Sequence, residues 1–237
     1  MSDSFNKNFE GALDNKIKIQ MNLVRKGGDL SGSYFYEKYR KKIILKGAID
    51  ENGYFEITEY DEKNQENGAF YGAFISDEAM VGFWNSAASP DRRLSFQLVE
   101  SGKLASSLIS NENRPTKLGC QVKNNNGSLS ILMIGSAIVG FEYDNVGGNY
   151  HTCGLLVDRR QKGVRWEDGA SLTKIIFTKE FFENDQSAEV SIKKSASGYD
   201  INFSGDLSYF CGVRAALPSK VSVYKSGNVW VGKAQYQ

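Results

Sequence analysis

The chain has 237 residues, enough for one large β-sandwich or barrel or for two domains of ordinary size, and its 41% hydrophobic and 24% charged content excludes a disordered chain. Its 29 Lys and Arg stand against 28 Asp and Glu, and the formal charge of +1 is too small for a whole-molecule field toward nucleic acid or anionic lipid, leaving room only for a local patch. The longest apolar stretch, residues 131–141, is far short of the roughly 20 residues of a membrane helix and is interrupted by Gly135 and Gly140, so it reads as two buried strands with no membrane span.

The N-terminal residues 1–8 lack the basic start and apolar core of a signal peptide, which fits either a cytoplasmic chain or a mature form whose leader has been removed. From there on, alternation of apolar and polar residues with a period of two recurs: Ile17, Ile19, Met21 and Leu23; Phe55 and Ile57; Val190 and Ile192; Tyr199, Ile201 and Phe203; Val221 and Val223. That period is the signature of a half-buried strand. Turn signals separate the runs at Gly27-Gly28, Asn52-Gly53, Asn67-Gly68, Asn126-Gly127, Ser197-Gly198 and Gly227-Asn228, the spacing of a hairpin meander. Only residues 178–185 have the composition of a helix, too short to be a framework element. The fold expected is all-β, an antiparallel sandwich or barrel, as two β domains in tandem. The polar, aperiodic stretch Ser110–Pro115 marks the boundary and gives domains of residues 1–110 and 115–237.

Catalytic signatures are weak. His151 is the one imidazole, two residues from Cys153, and nothing around it resembles a helix N-terminus that would lower a thiol pKa. Glu56, Glu59, Asp61, Asp158, Glu167 and Asp168 supply carboxylates for glycoside chemistry, but 28 acidic residues on any β-protein would do so. No nucleotide loop or HExxH motif occurs, and a single histidine with no CxxC argues against a zinc site, so no metal or cofactor is expected. The rings of Tyr34, Phe35, Tyr36, Phe70, Tyr71, Phe74, Phe83 and Trp84 suit either a carbohydrate-stacking platform or, more simply, a strand core. Of the three cysteines, Cys153 and Cys211 lie on predicted strands of the second domain and form the expected disulfide, while Cys120, beside Gly119 near the boundary, is the odd one out.

The first half, through Leu30–Tyr36, Ile43–Gly47, Phe55–Glu59, Gly68–Phe74 and Val81–Trp84, resembles a β-rich module common in bacterial exported proteins. The second half, through His151-Thr152-Cys153 and the block Ser204–Ala215, resembles the small β-proteins of the bacterial periplasm that inhibit lysozymes. That resemblance implies a non-enzyme: a periplasmic or secreted inhibitor of a lysozyme or other peptidoglycan hydrolase, or an immunity protein against a peptidoglycan-degrading toxin, inserting a loop into the active-site cleft. The implied partner-binding residues are Ser204, Gly205 and Tyr209, or the shorter Ser31 and Tyr34. The alternative is a glycan- or lipid-binding envelope module without an enzyme partner. Neither reading calls for nucleic acid, and the cytoplasm stays open as a location.

Overall fold

A computed structural model describes residues 2–124, 126–146 and 152–236, with the backbone alone at positions 90 and 91. His151 lies outside the described residues. The chain is all-β and divides into two compact units, one of Met1–Thr116 with Ile134–Ser136 and one of Lys117–Met133 with Ala137–Gln237.

The first unit is a closed antiparallel barrel of eight strands in simple up-and-down order: β1 (Ser4–Leu13), β2 (Ile17–Lys26), β3 (Asp29–Tyr36), β4 (Ile43–Ile49), β5 (Tyr54–Tyr60), β6 (Glu66–Ser76), β7 (Ala79–Ser86) and β8 (Ser89–Glu100). β1 and β8 close it, with Phe9 opposite Glu100 and Leu13 opposite Phe96. Closure removes the edges that would otherwise invite pairing with other chains. The period-two pattern sets the faces. Met21, Leu45, Ile57, Phe70 and Phe96 fill the interior, whereas Lys18, Gln20 and Asn22 of β2 point outward, the reverse of a lipid-spanning barrel. Phe55–Phe74 and Phe70–Phe96 meet edge-on at 5.3 and 5.4 Å between centroids. Each buried ring contributes about 1.5–3 kcal/mol relative to exposure. Gly72 and Gly82 face each other across β6 and β7, where a Cβ on either would come within 2.7 Å of the other's Cα, and the space they leave admits the edge of Phe96.

A segment with one helical turn, α1 (Ala105–Leu108), leads into the second unit. Its strands are β9 (Pro115–Lys123), β10 (Gly127–Ile134), β11 (Ala137–Val146), β12 (Thr152–Asp158), β13 (Val164–Asp168), β14 (Leu172–Phe177), β15 (Ala188–Ser195), β16 (Gly198–Gly205), β17 (Lys220–Ser226) and β18 (Val229–Gln235), with the turn α2 (Lys179–Phe182) after β14. Residues 131–141 become parts of β10 and β11, and the anticipated helix shrinks to α2. The ten strands form one sheet in the order β12-β11-β10-β9-β18-β17-β16-β15-β14-β13, where β9 and β18 are parallel over Val231–Lys233.

This order forces curvature. β12 and β13 are consecutive in the chain yet stand at opposite edges of the sheet. Flat, the edges would be about 43 Å apart at strand spacing. The five residues that join them, 159–163, reach roughly 20 Å at most. The sheet therefore curls into a half-barrel. Arg159 fastens the two edges: its Nε donates to the Ile138 carbonyl at 2.7 Å, its guanidinium pairs with Asp168 at 2.7 Å, and it lies 4.8 Å over the Trp166 ring. Phe141, Tyr143, Ile175, Phe177, Val190 and Ile201 are among the side chains that fill the concave face.

A second fastening is covalent. Cys153 of β12 is bonded to Cys211, which lies in the long β16–β17 connection, and Gly212 N–H donates to the Thr152 carbonyl at 2.9 Å beside it. Cys120 is the free thiol; burial pushes its pKa up to about 11, so it stays protonated and unreactive. The disulfide closes a loop across a sequence separation of 58, which by chain entropy contributes about 4 kcal/mol. Replacing both Cys153 and Cys211 with serine is expected to destabilise the second unit by roughly 2–4 kcal/mol in urea unfolding followed by Trp166 and Trp230 fluorescence. An unchanged midpoint would show that the noncovalent seam alone holds the edge.

Candidate functional site

The β16–β17 connection, residues 206–219, is a long excursion from the second sheet in which a packed root carries an exposed tip. It begins at Gly205, whose φ of +87° and 2.4 Å approach of a notional Cβ to the Ser187 carbonyl demand glycine. Asp206 then organises the turn: its Oδ1 accepts from Ser208 Oγ at 2.6 Å and from the Ser208 N–H at 3.3 Å, and Gln186 bonds the other oxygen. Those bonds, the Ser208 hydroxyl first, hold the Asp206 carboxyl below its ordinary range. A 3-10 turn, Ser208–Phe210, follows.

Consecutive residues of that turn face opposite ways. Phe210 packs inward, 4.9 Å from the Phe177 ring, and Leu207, Cys211, Ala215 and Leu217 also meet the core. Tyr209 faces outward and is 60% exposed, though its ring rests edge-on against Phe181 and Phe182 at 5.5 and 5.2 Å. Val213, 79% exposed, and Arg214, held at a φ of +66°, form the outer bend just past the disulfide. Ser204 lies exposed at the end of β16, opposite Glu189. Ser204, Gly205 and Tyr209 thus share one surface segment. Val213 and Arg214 follow further along the same connection, past the point where the disulfide ties it to β12.

Ser31 and Tyr34 do not make a comparable pair. They are three residues apart on β3, so Ser31 points to solvent while Tyr34 points into the barrel and is 1% exposed. What Tyr34 reaches is a group that the sequence offered only as one carboxylate among many. Its hydroxyl donates to Glu59 Oε1 at 2.6 Å and accepts from Tyr36 across 2.9 Å, and Trp84 Nε1 donates to the same carboxylate oxygen. Glu59 is fully buried, and its Oε2 has no hydrogen-bond partner, lying over Gly68 where a Cβ would come within 2.9 Å of it. Desolvation raises the Glu59 pKa against the smaller opposing effect of the Tyr34 and Trp84 bonds, and burial likewise raises that of Tyr34.

The remaining candidates are structural. Phe70 and Phe74 belong to the barrel core, and Tyr71 and Phe83, on the outward face, are buried and stacked at 5.9 Å, so these rings form no open platform. Asp168 is engaged by Arg159 and Thr173, Glu167 by Arg165, and Asp61 caps its own turn through the N–H groups of Lys63 and Gln65. Among the described residues no cluster of His, Cys, Asp or Glu has the makings of a metal site.

Glu59 yields a pH test. Its proton is held more tightly in the folded chain than in the unfolded one, so its contribution is fully present below the ordinary carboxyl range near 4.5 and is lost as pH rises through the elevated folded value. Compared with Glu59→Gln, the wild-type barrel is expected to lose Tm progressively as pH rises above 4.5, and parallel Tm curves for the two proteins would show that the Glu59 pKa is not raised by folding. No family model, no curated protein and no solved structure matches this chain.

Proposed function

We propose that this is a binding protein of the bacterial envelope whose β16–β17 connection inserts into the active-site cleft of a peptidoglycan hydrolase, as a lysozyme inhibitor or as an immunity protein against a cell-wall-degrading toxin. The observation that carries the binding reading is Tyr209, exposed on a short turn that Phe210, Asp206 and the Cys153–Cys211 bond hold in place. An aromatic side chain on a preorganised loop binds with little loss of conformational entropy, which is why Tyr and Arg dominate interface hot spots. The hydrolase target rests on the resemblance of the second half to lysozyme inhibitors. It agrees with the loop's chemistry, since the Arg214 guanidinium and the Ser204 hydroxyl are donors that a pair of catalytic carboxylates would accept from. A disulfide that persists belongs to an oxidising compartment, in keeping with the periplasm or cell exterior.

A second reading, a glycan-binding module, has one observation in its favour. β9 and β18 splay apart ahead of their short parallel pairing, and a cleft of about 430 Å³ opens there, lined by Trp230, Gln121, Lys123, Ser128 and Ser130. An indole among amides and hydroxyls is a combination that sugars use, by stacking and hydrogen bonding.

Lysozymes and bacterial muramidases titrated with the protein separate the two. Inhibition is expected from the wild type, and Ser204→Ala with Tyr209→Ala should weaken it by about 2 kcal/mol or more with the circular dichroism spectrum unchanged. Binding to a glycan array that survives this double substitution, without inhibition of any hydrolase, would favour the cleft.

A further inference from the structure

The near-zero net charge conceals a polarised barrel. Antiparallel order places the connections β1–β2, β3–β4 and β5–β6 at one end of the first unit. The β3–β4 connection there reads Glu37-Lys38-Tyr39-Arg40-Lys41-Lys42, one carboxylate against four cations, every residue exposed. Lys16 and Lys18 flank it on β2 and its turn, and Lys63 sits on the β5–β6 connection. Of the acidic residues here, Asp14 and Glu62 pair with Lys16 and Lys41, Glu37 accepts from Gln20 and Asp61 caps its own turn, while Lys18, Lys38, Arg40, Lys42 and Lys63 make no ion pair among the described residues. The opposite end carries Asp50, Glu51, Asp77 and Glu78.

Apolar surface gathers at the same basic end. Tyr39 is 68% exposed, and Ile17 and Ile44 are also among the exposed large hydrophobic side chains. Between the β3–β4 and β5–β6 connections lies a cleft of about 330 Å³ lined by Lys42, Lys63, Asp61, Glu62, Ile43 and Ile44 among others. Glu62 is taken up by Lys41 and Asp61 by the N–H groups of its own turn, which leaves the Lys42 and Lys63 ammonium groups beside an aliphatic wall.

We propose that this end of the barrel docks on an anionic phospholipid surface, with Tyr39 at the headgroup level and a lipid phosphate between Lys42 and Lys63. Cations alone would suit any polyanion. The exposed ring and isoleucines beside them favour a bilayer interface, where an amphipathic ring and basic side chains act together. The acidic far end then faces away from the membrane, so the charge asymmetry also sets the orientation. This docking is independent of the loop in the second unit.

The test is co-sedimentation with vesicles of phosphatidylcholine, with and without about one-third phosphatidylglycerol, at low and high salt. Each cation near an anionic leaflet raises partitioning by about fivefold, so Lys38→Gln with Arg40→Gln and Lys42→Gln should lower binding to the anionic vesicles at least tenfold. Tyr39→Ala should weaken binding severalfold even at high salt, and Lys26→Gln, at the far end of the barrel, should leave it unchanged. These exposed positions carry no core contact, so loss of binding with an unaltered thermal transition supports the proposal. Absence of binding to anionic vesicles, equal binding to both compositions, triple-variant binding equal to wild type, or retention on inorganic polyphosphate without vesicle binding would each overturn it.

Discussion

A five-residue connector joins the two outermost strands of the second sheet, and most of that unit follows from its length. Ten strands laid flat would carry β12 and β13 far beyond what residues 159–163 can span, so curling is imposed by covalent reach before packing contributes. Curling in turn creates the concave face that Phe141, Phe177 and Ile201 fill, and it brings Arg159, Trp166 and Asp168 together. It also leaves the two sheet edges near each other but unpaired. The β16–β17 connection reaches β12 in this region, through Cys211 and Gly212 on one side of its turn, while Phe210 seats it against β14 and α2.

That arrangement explains how a long loop in a β-protein can be rigid at its root and open at its tip. Ordering a loop costs conformational entropy for each residue, and here the disulfide and the Phe210 contacts offset it at the root. The outward residues Val213 and Arg214 are then exposed to a partner, and Tyr209 offers the part of its ring that does not lean on Phe181 and Phe182.

The barrel answers a different constraint. Eight strands enclose an interior packed with apolar side chains, and the facing glycines Gly72 and Gly82 make room for the ring of Phe96. Within that apolar filling Glu59 is the exception, a carboxyl given two donors on one oxygen and none on the other. Desolvation favours its protonated form against the opposing Tyr34 and Trp84 bonds.

Strand content, the positions of most turns and the two-strand reading of residues 131–141 were legible in the sequence, because alternation and turn chemistry are local and are written within a few residues. The expected Cys153–Cys211 bond is present, although Cys211 meets β12 from a loop and not from the strand predicted for it. The sequence also offered Tyr209 and Glu59, but without their meaning. Alternation says that Tyr34 and Ser31 face opposite ways, yet not which way is inward, and the Ser-Gly-Ser-Tyr spacing drew attention to a residue that the barrel buries. Tertiary structure was needed to show that Glu59 meets Tyr34 and Trp84, that Cys211 lies on a loop, and that Lys16, Lys18 and Lys63 share a barrel end with the basic run Lys38–Lys42. The physical reason is that neighbours in a sheet are set by register between distant segments and by the closure or curl of the whole sheet, quantities that no short stretch of sequence contains.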